Sequence, residues 1–153
     1  MSTFIETGTY LGKTISFVKN YFEKVITIEL DEDLYNKAKK LFQEDNRITV
    51  LNGDSGKLLE KELISLKEPA LFWIDGHFSG GITAKSELET PILSELNAIV
   101  KHNVKGHLIL IDDMRLFTGE NDYPTIIELK NLLKSFRLNF KTYNRYDFII
   151  VFS

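Results

Sequence analysis

Five short apolar runs alternate along the chain with longer stretches in which apolar residues recur at helical spacing. An apolar run followed by an amphipathic helix is the repeating unit of a parallel sheet that is covered on both faces. The runs predict five strands near Thr3–Glu6, Val25–Glu29, Ile48–Asn52, Ala70–Asp75 and His107–Asp112.

The stretches between and after these runs predict five helices. The first follows a glycine turn and buries Ile15, Val18 and Phe22, and the second repeats Leu34, Ala38, Leu41 and Phe42 at helical spacing. The remaining three are predicted near Lys57–Leu66, near Glu87–Lys101 and from Pro124 onward, since proline suits the first helical position. The aromatic residues expected to pack in the core are Phe17, Phe22, Phe42, Phe72 and Trp73.

The end of the chain follows a different pattern. Two strand-like runs, Phe140–Tyr143 and Phe148–Phe152, are separated by too few residues for a crossover helix and must therefore form a hairpin. The predicted fold class is α/β: a doubly wound, seven-stranded Rossmann-like sheet with five parallel units and a C-terminal antiparallel hairpin.

The loop after the first strand predicts a nucleoside-type ligand. Gly8 and Gly12 allow the backbone to approach a ligand closely, and Glu29 follows Gly8 by 21 positions, near the interval at which an acid meets the ribose hydroxyls in dinucleotide folds. NAD is disfavoured because Tyr10 stands in place of the second glycine of the dinucleotide motif.

A phosphate-binding loop is a rival interpretation. Gly8 to Thr14 contains the elements of that motif with one intervening residue too few, and Asp112 and Asp113 follow an apolar strand as magnesium-holding acids do. This alternative stays open at the level of the residues.

From Phe4 to Phe152 the chain resembles the class I S-adenosylmethionine-dependent methyltransferases. The segment Glu6–Gly12 stands where that family has its acidic glycine-rich motif, Glu29 matches its ribose-binding acid, and Gly53-Asp54-Ser55 matches the turn beside the adenine. The resemblance implies S-adenosylmethionine as cofactor, and a hairpin-closed sheet is that family's arrangement. The cofactor-binding residues it implies are Glu6, Thr7, Gly8, Thr9, Tyr10, Gly12, Thr14, Glu29, Leu30, Asp54, Ser55 and Asp75.

Three acids at predicted strand ends suggest a metal site. Asp75, Asp112 and Asp113 would converge if their strands are neighbours, and such close like charges favour a compensating cation. Oxygen ligands suit Mg²⁺, and within the family this pattern resembles the metal-dependent O-methyltransferases, including those that act on antibiotic sugars. Alternatively, Asp75 and Asp113 merely cap turns or helices.

His77 lies in a glycine-containing loop directly after the fourth strand. With Asp75 it is the candidate catalytic residue, as a general base or an extra metal ligand. It can equally serve only as a hydrogen-bonding loop residue. His102 and His107 flank a helix-to-strand connection at the opposite edge and are expected to be structural, whereas Lys13 and Arg115 are candidate anion contacts.

Composition limits the remaining possibilities. The 153 residues, 43% hydrophobic and 27% charged, suit a single domain spanning 1–153. A net charge of −3 without a basic stripe argues against nucleic acid as a partner, and the absence of cysteine excludes disulfides. No membrane partner is expected, since no signal peptide or membrane span is visible, and we expect a cytoplasmic protein.

The sequence thus predicts an S-adenosylmethionine-dependent methyltransferase that carries out metal-assisted O-methylation of a small-molecule or sugar hydroxyl. A non-catalytic domain that binds the cofactor or another nucleoside is the alternative from a different class. Because only Met1 and Ser2 precede the first strand, an acceptor side open to solvent and a homodimer are expected.

Overall fold

A computed structural model describes residues 1–75 and 90–153 of the protein. They form one seven-stranded sheet in the order β3-β2-β1-β4-β5-β7-β6, in which β1 to β5 pair in parallel and β7 pairs antiparallel with both β5 and β6. The predicted parallel units and the C-terminal hairpin are confirmed. The strands are β1 Thr3–Thr7, β2 Lys24–Glu29, β3 Ile48–Asn52, β4 Ala70–Ile74, β5 Leu108–Ile111, β6 Asn139–Tyr143 and β7 Phe148–Phe152.

Helices cover both faces of this sheet, as the alternation of strands and helices predicts. Their bounds are α1 Lys13–Val18, α2 Glu32–Phe42, α3 Ser55–Ser65, α4 Ile92–Lys101 and α5 Ile126–Ser135, with a short 3-10 turn at Met114–Leu116. No helix in the described ranges is long and apolar enough to cross a bilayer.

Adjacent residues of each central strand point to opposite faces and so build two separate cores. On one face, Phe4 packs with Ile15 of α1 and Phe42 of α2. On the other face, Ile5 packs with the apolar residues of α3, α4 and α5, among them Leu59. Burial on both faces explains why the strands read as nearly continuous apolar runs.

Several predicted boundaries and packing positions are wrong. The fifth helix begins at Ile126 rather than Pro124, because the Thr125 hydroxyl and the Glu128 carboxylate form a reciprocal capping box. The fourth begins at Ile92, since Thr90 and Pro91 are not helical, and the predicted start at residues 87–89 lies outside the described ranges.

The first two helices also differ from their prediction. Helix α1 ends at Val18, so Phe22 lies beyond it, although its ring still packs 5.3 Å from that of Phe4. Phe17 is 74% exposed because it lies about 200° around the helix from Ile15. Leu41, in the last turn of α2, is 60% exposed despite its helical spacing.

Candidate cofactor and acceptor site

The loop after β1 crosses the carboxyl edge of the sheet in a conformation that depends on left-handed backbone angles. Gly8 has φ of +87° and its N–H donates to the Ile28 carbonyl at 2.9 Å, which fastens the loop to β2. Tyr10 and Gly12 have φ of +47° and +69°. The loop thus leaves Tyr10 half-exposed at the strand ends, while Thr9 is buried.

Gly12 is required by packing as well as by its backbone angle. A Cβ atom at this position would lie 2.9 Å from two ring carbons of Phe42. The start of α1 can therefore approach the end of α2 only with glycine here, which gives a structural reason for a residue predicted to bind cofactor.

Glu6, at the carboxyl end of β1, is buried beneath this loop. Its carboxylate accepts a 2.6 Å hydrogen bond from the Thr27 hydroxyl, which itself lies 2.6 Å from the Thr9 hydroxyl. Burial raises the pKa of Glu6 to about 8, although hydrogen bonds from Thr27 and Thr14 partly offset the effect. Glu6 thereby connects β1, β2 and the loop, and the predicted residues Thr9 and Thr14 lie next to it.

Glu29 lies at the end of β2, where the sequence spacing places it. One carboxylate oxygen accepts from the Tyr10 N–H at 2.7 Å, and the other accepts from the Asp31 N–H at 2.9 Å. A carboxylate oxygen has capacity for a further hydrogen bond, so these contacts orient Glu29 without exhausting it. Leu30 follows as a half-buried residue whose carbonyl accepts from the Asn52 amide at 3.3 Å.

Asp54 and Ser55 mark the start of α3 beside this edge. The Asp54 side chain caps the helix by accepting from the Gly56 N–H at 2.9 Å, and it lies 3.4 Å from the Lys57 ammonium. Ser55 is buried. Asp54 therefore has a structural role as a helix cap, at the turn that the resemblance places beside the adenine.

Asp75 and Asp112 are brought together by strand pairing. The Asp75 N–H donates to the carbonyl and the hydroxyl of Thr7, at 3.1 and 3.3 Å, and the Asp112 N–H donates to the Ile74 carbonyl at 3.1 Å. Burial raises the pKa of Asp112, and the nearby charges of Asp75 and Asp113 raise it further. A hydrogen bond from the Asp113 N–H offsets only part of this shift.

Asp113 lines the same cavity as Asp75 and Asp112, but its carboxylate is paired with a cation of the chain. It adopts a left-handed backbone conformation, with φ of +52°, and its carboxylate binds the guanidinium of Arg115, which also binds Asp147. Within residues 1–75 and 90–153, no group of three acids or histidines is placed to hold a metal ion. The predicted anion contact Arg115 is likewise engaged by two carboxylates. His77 lies outside the described residues.

A small cavity opens beside these three acids. Its walls include Asp75, Asp112, Ile92, Phe117 and Tyr123, and the rings of Phe117 and Tyr123 meet edge to face with centroids 5.6 Å apart. The cavity has a volume of about 10 Å³, the size of a single water molecule, so it marks where an acceptor hydroxyl could meet the carboxylates and does not enclose a whole acceptor.

Sequence reasoning missed three contributors to this edge: Thr27, Asp147 and Glu95. Thr27 is a polar residue in an otherwise apolar strand, and Glu95 occupies a buried position of α4 between Ile92 and Ile99. An acid at a core position of an amphipathic helix is a detectable signal. Nothing in the local sequence links Asp147 to Arg115.

The sheet order and the antiparallel last strand define the Rossmann-like fold of the S-adenosylmethionine-dependent methyltransferases. No protein-family model matches the sequence, and no curated protein matches it. Solved structures do match it, at low sequence identity.

Three such structures illustrate the similarity. The methyltransferase PaMTH1 of Podospora anserina, bound to S-adenosylhomocysteine, is 14% identical, with a TM-score of 0.66 over 98% of this chain and 70% of its own. The O-methyltransferase TomG of Streptomyces achromogenes, involved in tomaymycin synthesis and in complex with S-adenosylmethionine, has the same identity and TM-score over 98% and 71%. The precorrin-6y C5,15-methyltransferase of Geobacter metallireducens is 11% identical, with a TM-score of 0.65 over 99% and 80%. At such identities the similarity demonstrates the fold.

Proposed function

We propose that this protein is an S-adenosylmethionine-dependent methyltransferase that methylates a hydroxyl oxygen of a small molecule or sugar. The observation that carries the proposal is the pair of acids Glu6 and Glu29, which hold the loop 8–12 across the ends of β1 and β2. The geometry supports a ribose contact at Glu29 and a loop ordered by Glu6 around the amino-acid part of the ligand.

The acidic character of this edge supports the methyl donor as ligand. The charges of Asp75 and Glu29 help to raise the pKa of Glu6, and a ligand with positive charge would relieve the repulsion among these three acids. Bound S-adenosylmethionine supplies a sulfonium methyl group as the electrophile. A diphosphate would instead add negative charge at the same place, which disfavours the nucleotide alternative.

The acceptor side supplies a base and a binding surface. With the donor bound, the acceptor oxygen would form its bond to the methyl carbon as the carbon–sulfur bond breaks, and the electron pair of that bond would stay on the sulfur. The acceptor proton passes to Asp112, whose raised pKa makes it a better base than an ordinary aspartate, with Asp75 alongside it. Phe117 and Tyr123 line the cavity beside these acids, and an acceptor hydroxyl held there would be aligned with the methyl donor, which supplies much of the rate enhancement in a displacement of this kind.

Metal assistance remains a prediction. Asp75 and Asp112 would provide two carboxylate ligands, the number with which proteins commonly hold Mg²⁺ while water completes its shell, whereas the Asp113 carboxylate is bound to Arg115. Methyl transfer with Asp112 as the base does not require the ion.

The proposal is tested by methyl transfer from radiolabelled S-adenosylmethionine to a fractionated small-molecule extract. We expect wild type and Glu32→Ala, an exposed acid of α2, to label the same product, and Glu29→Ala to lose most of the labelling. In Glu29→Gln the amide oxygen can still accept from the Tyr10 N–H. Loss of labelling in this variant would therefore reflect loss of the ribose contact rather than loss of loop order. Tight binding of the donor without any labelled product would favour the non-catalytic alternative.

A further inference from the structure

Glu95 is a completely buried acid that the mechanism does not use. It lies in the first turn of α4 with 0% exposure, and within residues 1–75 and 90–153 neither carboxylate oxygen has a hydrogen-bond partner of standard geometry. A buried carboxyl without partners is costly to retain, so its position calls for an explanation.

The surroundings of Glu95 connect it to the predicted cofactor site. The first turns of α3 and α4 are in close contact, since a Cβ on Gly56 would lie 2.4 Å from the Ser94 hydroxyl. The hydroxyls of Ser55, at the start of α3, and Thr7, at the end of β1, lie near the Glu95 carboxyl and lower its pKa. Neither hydroxyl forms a hydrogen bond of standard geometry with it. Glu95 therefore lies beneath two residues of that site.

The charges that act most strongly on Glu95 are also negative. They come from Asp54, at the cap of α3, and Asp75, at the end of β4. Burial is the main cause that raises the pKa of Glu95, to about 7, and the two acids add to it. Burial therefore favours the protonated form of this carboxyl at a pH where an exposed glutamate is ionised.

We infer that Glu95 is a specificity-determining acid, which favours a ligand that carries positive charge at the ends of β1 and β4 over a ligand that lacks it. The inference rests on the proposed function, in which S-adenosylmethionine carries a sulfonium charge and the product S-adenosylhomocysteine does not. An ionised carboxylate in a poorly solvated environment attracts a cation over several ångströms. Glu95 thus helps the site to retain the donor and to release the product.

A measurable consequence is proton release. The donor's sulfonium favours the ionised form of Glu95, so binding near neutral pH expels part of a proton from this group. Glu6, also buried at this edge, contributes its own release in every variant that retains it. The difference between wild type and Glu95→Gln therefore isolates Glu95.

Calorimetric titration in two buffers of different ionisation enthalpy tests this inference at pH 7. S-adenosylmethionine and S-adenosylhomocysteine are each titrated into wild type, Glu95→Gln and Glu60→Gln, an exposed acid of α3. We expect Glu95→Gln to lower the preference for the donor roughly three- to tenfold and to release fewer protons on donor binding, and Glu60→Gln to behave as wild type.

The other possible results distinguish failure of this inference from failure of the proposed function. An unchanged preference and proton count in Glu95→Gln overturns the role of Glu95 while leaving the proposed function intact. Failure of wild type to bind the donor refutes the proposed function and this inference together. If Glu95→Gln does not fold, Glu95→Leu, an apolar replacement for a core position, is titrated in its place with the same expected outcomes.

Discussion

Replacing Glu6 by glutamine should stabilise the free protein at alkaline pH and much less at acidic pH. Glu6 is 1% exposed, and burial raises its pKa from 4.5 to about 8. The pKa of Glu6 is higher in the folded than in the unfolded state. The protein is therefore most stable below pH 4.5, where Glu6 is protonated in both states, and this stability is lost as the pH rises toward 8.

The magnitude follows from the size of this shift. Each unit of pKa corresponds to about 1.4 kcal/mol, so the ionisation of Glu6 lowers the free energy of unfolding by about 3 kcal/mol more at pH 8 than at pH 5. Glutamine has no such dependence and keeps an acceptor for the Thr27 hydroxyl. Its advantage over wild type should therefore grow by about that amount between the two pH values.

Urea unfolding at pH 5 and pH 8, followed by the fluorescence of the single tryptophan, Trp73, measures this difference. Glu60→Gln, at an exposed position, is the matched control and should show no comparable change. An advantage of Glu6→Gln that is equal at both pH values would refute the assignment of a strongly raised pKa.

Further perturbations test other parts of the structure. Burial and the charge of His102 lower the pKa of His107 to about 4, so its contribution to the stability of the fold is present above pH 6.5 and is lost as the pH falls toward 4. The stability difference between wild type and His107→Gln, measured by urea unfolding, should shrink over that range by about 3 kcal/mol at most. Gly12→Ala should cost about 1–3 kcal/mol and lower the melting temperature, because its φ is +69° and its Cβ meets the Phe42 ring. If a divalent ion binds Asp75 and Asp112, Mn²⁺ soaked into crystals should give an anomalous peak between them, and ordered carboxylates without a peak at millimolar Mn²⁺ would contradict it. Light scattering should give the mass of a homodimer, and a monomer at all concentrations would contradict that prediction.

Periodicity predicts the architecture of this protein well because both faces of its sheet are buried. Buried parallel strands must be continuous apolar runs, and the two runs near the C-terminus are too close for any connection but a hairpin. Helix ends are less predictable because a cap decides them. At α5, Thr125 and Glu128 provide the cap, and Pro124 is left outside the helix.

The candidate site is predictable where it depends on spacing along the chain, and less so where it depends on pairing across the sheet. Glu29 falls at its expected place because the βαβ unit has a nearly fixed length. The contact of Thr27 with Glu6 arises only when β2 lies beside β1. Asp113 is a second example, because its carboxylate binds Arg115, which also binds Asp147, a residue distant in sequence.

The central claim is that S-adenosylmethionine binds across the strand ends, and a crystal soaked with S-adenosylhomocysteine tests it most directly. We predict density for the nucleoside between loop 8–12 and Asp54, with the ribose hydroxyls within hydrogen-bond distance of the Glu29 carboxylate. Parallel soaks with ATP and NAD should leave this position empty. A site without S-adenosylhomocysteine that is filled by ATP, with its phosphates on the start of α1, would contradict the account.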